Sequence, residues 1–138
     1  MTDSAEGIVL ASADKRDVTV ALTRAVRPFG DEVIDVGVTA RGPDLLATVW
    51  VRTLDGDGLP HFLEDLTRDF RGWAGVRHWR SFEGSLAVRA EHAGRRIRLQ
   101  VELTATDADG AWRVTVPLEV EPGEGLAALA RGVAALLW

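Results

Sequence analysis

The chain has 138 residues, 46% of them hydrophobic and 27% charged, with a net charge of −5. That is length enough for one hydrophobic core and a composition unlike that of a disordered segment. The lack of cysteine excludes disulfides, thiolate metal sites and a cysteine nucleophile, and the negative balance argues against non-specific nucleic-acid binding.

The start, Met1-Thr2-Asp3-Ser4-Ala5-Glu6, is polar and acidic. No stretch approaches the ~18 apolar residues of a membrane span, so no membrane partner and a cytoplasmic location are expected. Ile8-Val9-Leu10 reads as a short first strand. Val18, Val20, Leu22 and Val26 then share one face, broken only by Arg24, and a turn follows at Arg27-Pro28-Phe29-Gly30-Asp31. Ile34, Val36, Val38 and Ala40 repeat the period of two, and so do Leu45, Ala47, Val49 and Val51, with Trp50 on the other face. This alternation between turn signals predicts half-buried antiparallel strands over residues 8–53. A loop at Arg41-Gly42-Pro43-Asp44 would pair Ala40 with Leu45, Val38 with Ala47, Val36 with Val49 and Ile34 with Val51, every inward residue meeting another.

The period then changes. Leu59, Phe62, Leu63, Leu66 and Phe70 fall at helical spacing, with Pro60 in the first turn and Gly72 past the end, which predicts an amphipathic helix over 59–71. Asp55-Gly56-Asp57-Gly58 ahead of it lacks the full ligand pattern of a calcium loop and reads as a helix-leading turn. The helix's polar face carries Glu64, Asp65 and Asp69, the wrong sign for anionic lipid.

The second half repeats the plan. Leu86, Val88 and Ala90 alternate up to a turn at Ala93-Gly94. Ile97, Leu99, Val101 and Leu103 follow, then a turn at Asp107-Ala108-Asp109-Gly110, then Trp112, Val114, Val116, Leu118 and Val120. These predict strands over 85–120. Leu126, Leu129, Val133, Leu136 and Leu137 predict a last helix over 123–137. Superimposing Asp57-Gly58-Leu59 on Glu124-Gly125-Leu126 aligns two sheet-plus-helix units. On the outward face of the second unit, Arg96 would fall between Glu91 and Glu121, and Arg98 between Arg89 and Glu119, the signature of a solvated sheet face. Pro117 marks its strand as an edge. The expected fold is α+β: one domain over 1–138, mainly an antiparallel sheet of about six or seven strands with two helices.

Residues 72–84, between the first helix and the second set of strands, read as a loop dense in aromatic and arginine residues. Trp73, Arg77, Trp79 and Arg80 are the candidate partner-binding residues, because tryptophan supplies contact area and arginine bidentate recognition of carboxylates. The same aromatics could instead plug the end of the sheet. Residues 68–98 carry eight arginines against Asp69, Glu83 and Glu91, so the rest of the chain is strongly acidic.

Phe62-Leu63-x-x-Leu66, Arg71-Gly72-Trp73-x-Gly75, Trp79-Arg80-Ser81-x-Glu83-Gly84-x-Leu86 and Ala90-x-His92 together resemble an uncharacterised family of small proteins, found mainly in actinomycete genomes. The resemblance runs from about residue 45 to the last helix. It implies no activity and no catalytic residues. Size, helix-interrupted sheet and aromatic loop are also similar to those of immunity proteins of bacterial toxin systems, a likeness of fold alone.

Enzyme signatures are missing: no GxSxG elbow, Walker loop or GxGxxG after a strand. His61, His78 and His92 have no metal-ligand spacing, and Ser81, His78 and Glu83 are neighbours in sequence only. No catalytic residue, cofactor or metal is assigned. A non-catalytic protein-binding module, immunity- or antitoxin-like, is the leading expectation, with an unknown protein partner. The alternative is a small-ligand-binding or enzymatic domain with Arg80, Glu83 and His92 in a pocket between sheet and helices. A homodimer through the Pro117 edge and Trp138 is a third possibility.

Overall fold

The structure, a computed structural model, describes residues 2–4, 7–107 and 110–137. Trp138, the tip of the turn at 108–109 and residues 1, 5 and 6 lie outside the described residues. The class is α+β, as expected. Strands β1 (Thr2–Ser4), β2 (Gly7–Ala11), β3 (Thr19–Val26), β4 (Val33–Gly42) and β5 (Leu45–Leu54) form one antiparallel meander in chain order. A 3-10 turn, Asp55–Gly58, leads into α1 (Leu59–Arg68). Strands β6 (Val76–Arg80), β7 (Leu86–Ala93), β8 (Arg96–Asp107) and β9 (Gly110–Val120) form a second meander, followed by α2 (Glu124–Leu137).

The two sheet-plus-helix units of the sequence are thus present, with nine described strands in two sheets. The strands that hydrophobic alternation did not mark are β1 and β6. In β6 the inward positions are Trp79 and Arg77, so an arginine stands where the pattern looks for an apolar residue. The segment 72–84 is therefore a loop only at its two ends. Both helices are entered from a glycine in the left-handed region, Gly58 at φ +77° and Gly123 at φ +78°, a conformation that strains other L-residues. Gly58 therefore corresponds to Gly123 and not to Gly125. α1 also stops at Arg68, short of residue 71. The Asp69 N–H bonds Asp65 O and the Gly72 N–H bonds Asp69 O, which turns the chain away and leaves Phe70 exposed.

The β4–β5 register differs from the sequence expectation by two residues. Gly42 pairs with Leu45, Ala40 with Ala47, Val38 with Val49 and Val36 with Val51. The connection is the pair Pro43-Asp44, with proline setting the first φ and Asp44 at +61° completing a tight turn. A shift of two keeps every inward residue opposite an inward one, so alternation alone could not detect it. The β7–β8 hairpin shifts in the same sense, placing Glu91, not Arg89, opposite Arg98. A like-charge arginine pair is thereby avoided. The β8–β9 register is as expected, with Arg96 bonded to Glu121 and Arg98 to Glu119.

The inner faces of both sheets and the apolar sides of both helices share one core, in which Leu66, Val38, Val51, Leu103, Leu118 and Leu126 have no exposed surface. Burying such side chains contributes about 1.5–3 kcal/mol each. The two sheets are also latched by hydrogen bonds. Buried Ser12, just after β2, accepts the Glu119 N–H on Oγ at 2.9 Å, and the Ala13 N–H donates to Glu119 O at 2.8 Å. Glu119 thus points its backbone away from β8, off the sheet edge. Pro117, two residues earlier on that side, has no N–H to leave unpaired, which is how β9 serves as the edge.

On the outer face of the first sheet, Arg52 Nε and Nη2 donate to the two Asp35 oxygens at 2.8 and 2.9 Å. The Arg52 hydrogen bonds hold the Asp35 carboxyl below its ordinary range. A depressed carboxyl stabilises the fold fully above its unfolded value of about 4, and the gain is lost as pH falls through the lower folded value. Asp35→Asn is expected to lose about 0.5–1 kcal/mol near neutrality, the partial exposure of Arg52 limiting the pair. Urea midpoints of the two proteins should converge as pH falls towards the folded Asp35 value.

Candidate functional site

Strand β6 separates the residues that the sequence grouped. Its side chains alternate, so Arg77 and Trp79 point inward while His78 and Arg80 point outward. Trp79 is a core residue, 9% exposed, and its indole Nε1–H donates to Asp57 O at 2.8 Å. Trp73 is half-buried, its Nε1–H directed at Ala90 O at 3.4 Å. The Arg77 guanidinium lies 4.9 Å from the Trp73 ring centroid and bonds Asp69 at 2.9 Å. His92 meets the same indole edge-on at 5.4 Å, and its Nε2 lies 2.9 Å from Phe70 O. Trp73, Arg77 and His92 thus form one cluster sealing the end of α1 against β7. Arg80 stands on the opposite face of the second sheet, so the four partner-binding candidates do not share a surface.

The Trp-Arg-Ser-x-Glu-Gly run builds a tight turn. Ser81, 1% exposed, donates its N–H to Leu86 O at 2.9 Å and accepts the Leu86 N–H on Oγ at 3.2 Å. Gly84 sits at φ +80°, the conformation that favours glycine, and the Arg80 guanidinium, the mobile end of its side chain, lies across it. The Phe82 N–H is held at 2.9 Å by Asp57 Oδ2, and Asp57 Oδ1 takes the Leu54 N–H at 3.0 Å. Asp57, itself at φ +51°, therefore joins the end of β5, the buried Trp79 and the 81–84 turn through three hydrogen bonds. In the sequence it was legible only as part of a helix-leading turn.

Outward of this turn lies an open polar groove of about 480 Å³ on the solvated face of the second sheet, bordered by Arg80, Glu83, Arg89, Gln100, Glu102 and Arg113. Arg80 and Glu83 of the alternative pocket line it, while His92 lies with Trp73 away from it. Between the sheets and helices, where that pocket was expected, the described residues leave a space of about 50 Å³ lined by apolar residues such as Ile8, Leu59, Val88 and Leu129, small beside the roughly 300 Å³ or more of a metabolite pocket.

The acidic and basic stretches of the sequence are interleaved by the fold. Arg68 pairs with Asp65, Arg96 with Glu121 and Arg98 with Glu119, three acids from outside the basic segment, while Arg77 pairs with Asp69 within it. Arg113 pairs with Glu102 at 3.5 Å in the groove itself. Among the described residues Arg80 and Arg89 make no ion pair. Also among them, no three His, Asp or Glu side chains gather as metal ligands, and no helix is long and apolar enough to cross a membrane.

These features define an α+β protein of two antiparallel meanders, each followed by a helix, with a polar groove on the second sheet. Residues 11–138 match the model of a family described as a family of unknown function (DUF6228), and the chain belongs to that family. No curated protein and no solved structure gives a significant match.

Proposed function

We propose that this chain is a cytoplasmic, non-catalytic protein-binding module, of the kind that immunity and antitoxin proteins represent, acting as one domain around its shared core. The groove face of the second sheet, with the 81–84 turn at its border, is the surface that meets the partner. One observation carries this reading: Arg80 and Arg89 line an open groove of about 480 Å³ and make no ion pair among the described residues, and the turn at its border carries Phe82, 54% exposed though not part of the lining. Guanidinium groups and an exposed aromatic ring are the side chains from which binding hot spots are built. A partner on this face meets neither Trp73 nor Arg77, and Trp79 borders it from the core side. It does not use the β9 edge, which Ser12 and Ala13 engage at Glu119.

The test is capture from host lysate with wild type, with Arg80→Ala/Phe82→Ala, and with Arg131→Ala on the surface of α2. A protein retained by wild type and Arg131→Ala should be lost with the double variant, hot-spot truncations weakening binding by roughly 30-fold or more. Retention by the double variant, shown by its melting curve to be folded, overturns the placement of the site.

A further inference from the structure

We infer that the groove is an anion site for an acidic, extended stretch of the partner polypeptide, whose Asp or Glu carboxylates meet Arg80 and Arg89. This rests on the protein-binding reading and names the chemistry of what is bound. His78 and Arg80 are alternate residues of β6, and Arg89 of β7 is the cross-strand partner of His78. All three side chains leave the same face. Arg80 and Arg89 are therefore diagonal neighbours across the strand pair, about 7–8 Å apart, near the ~7 Å at which an extended chain presents every second side chain to one side. Arg80 faces Ala87 across the strands, and Ala87 faces Glu102, so a methyl group is all that fills the groove floor beside the guanidinium.

The other arginines of this sheet face are already held. Arg96, Arg98 and Arg113 are bonded to Glu121, Glu119 and Glu102. Glu83 borders the groove as well and makes no ion pair among the described residues, so the two arginines there face one unpaired acid. The Arg80 guanidinium lies across Gly84 and presents a planar donor fork that matches a carboxylate bidentately. Gln100, opposite Arg89, adds a neutral amide for the ligand's backbone.

The overall charge of −5 does not oppose this. At ordinary ionic strength charges beyond roughly 10 Å are screened, and the unpaired guanidiniums dominate the groove at contact distance. A nucleic-acid strand fits less well. The outward side chains of the floor are Ala87, Gln100, Thr104 and Thr115, none of them a ring, so a base could stack only on His78 or on Phe82 at the border.

The experiment is fluorescence anisotropy of short labelled peptides, glutamate-rich, lysine-rich and glycine–serine, and of a labelled oligothymidine, each titrated with the full chain at low ionic strength. The variants are Arg80→Gln, Arg89→Gln, their combination, and Arg131→Gln as a charge-matched control. Arg89 is exposed on an open sheet face, so its variant remains informative should Arg80→Gln disturb the turn. The glutamate-rich peptide is expected to bind wild type and the control alike. Each groove variant should bind it roughly tenfold more weakly, as expected for loss of a charge-assisted hydrogen bond. The inference is overturned if that peptide does not bind, if it binds the double variant equally well, or if oligothymidine or the lysine-rich peptide binds more tightly. In any of these outcomes, a lysate partner lost with Arg80→Ala/Phe82→Ala would still support protein binding and refute only the acidic ligand. A partner indifferent to that variant would refute the placement itself.

Discussion

Trp79→Ala is expected to destabilise the protein by about 3–5 kcal/mol, the usual cost of truncating a buried large aromatic. Trp79 lies in the shared core at 9% exposure, and its indole N–H is satisfied by Asp57 O at 2.8 Å. Truncation would open a cavity beneath the edge strand β6 and orphan that carbonyl. Since domains of this kind are held by about 5–15 kcal/mol in all, the loss would be a large part of the total. Trp79→Phe keeps most of the buried area and removes the N–H donor, so about 1–2 kcal/mol is expected. Urea unfolding reads both as shifts in midpoint at constant slope. A loss under about 1 kcal/mol for the alanine variant would mean that the side chain is a surface contact, as its sequence neighbourhood first implied.

The composition of residues 72–84 pointed to binding, yet most of it serves packing. Trp73 and Arg77 stack on one another and Trp79 fills the core. Composition could not separate these roles, because the separation is made by the pleat of a strand with no hydrophobic alternation. Once β6 is known, Arg77 and Trp79 fall on one face and His78 and Arg80 on the other. The presence of Arg80 and Glu83 in the groove was therefore legible as residue type and not as position. Arg89 of β7 was legible only as a member of a solvated face, and Gln100 and Glu102 of β8 were not singled out.

Class, helices and most strands were read correctly because period-two and helical spacing reflect which faces are buried. Register was harder. Each inward residue of β4 remains opposite an inward residue of β5 whether the sum of paired positions changes by two or not. The decision falls to Pro43-Asp44, where a tight turn with Asp44 at φ +61° replaces a longer loop. The division into two sheets has a similar origin. The sequence shows an interruption between β5 and β6, but not that β5 ends one sheet and β6 begins another.

Asp57 is the residue that alternation and motif least announced, and its substitution should discriminate sharply. Three variants separate its backbone role from its hydrogen bonds. Asp57→Asn tolerates the left-handed conformation and keeps one side-chain acceptor, so about 1 kcal/mol should be lost. Asp57→Gly eases the backbone but frees both the Leu54 and Phe82 N–H groups, for about 1–3 kcal/mol. Asp57→Ala frees the same donors and adds the strain of a Cβ at positive φ, so about 2–4 kcal/mol is expected. The order Asn, Gly, Ala in increasing loss, measured by urea unfolding, would establish that the carboxylate and the conformation both contribute. If the glycine variant matched wild type, the two hydrogen bonds would carry no net stability, and aspartate would be needed only for its tolerance of φ +51°. The groove gives a second readout. Oδ2 anchors the 81–84 turn at Phe82, and that turn carries the glycine on which Arg80 rests. A folded Asp57→Gly protein should therefore bind an acidic peptide more weakly than wild type, although residue 57 itself is not among those lining the groove.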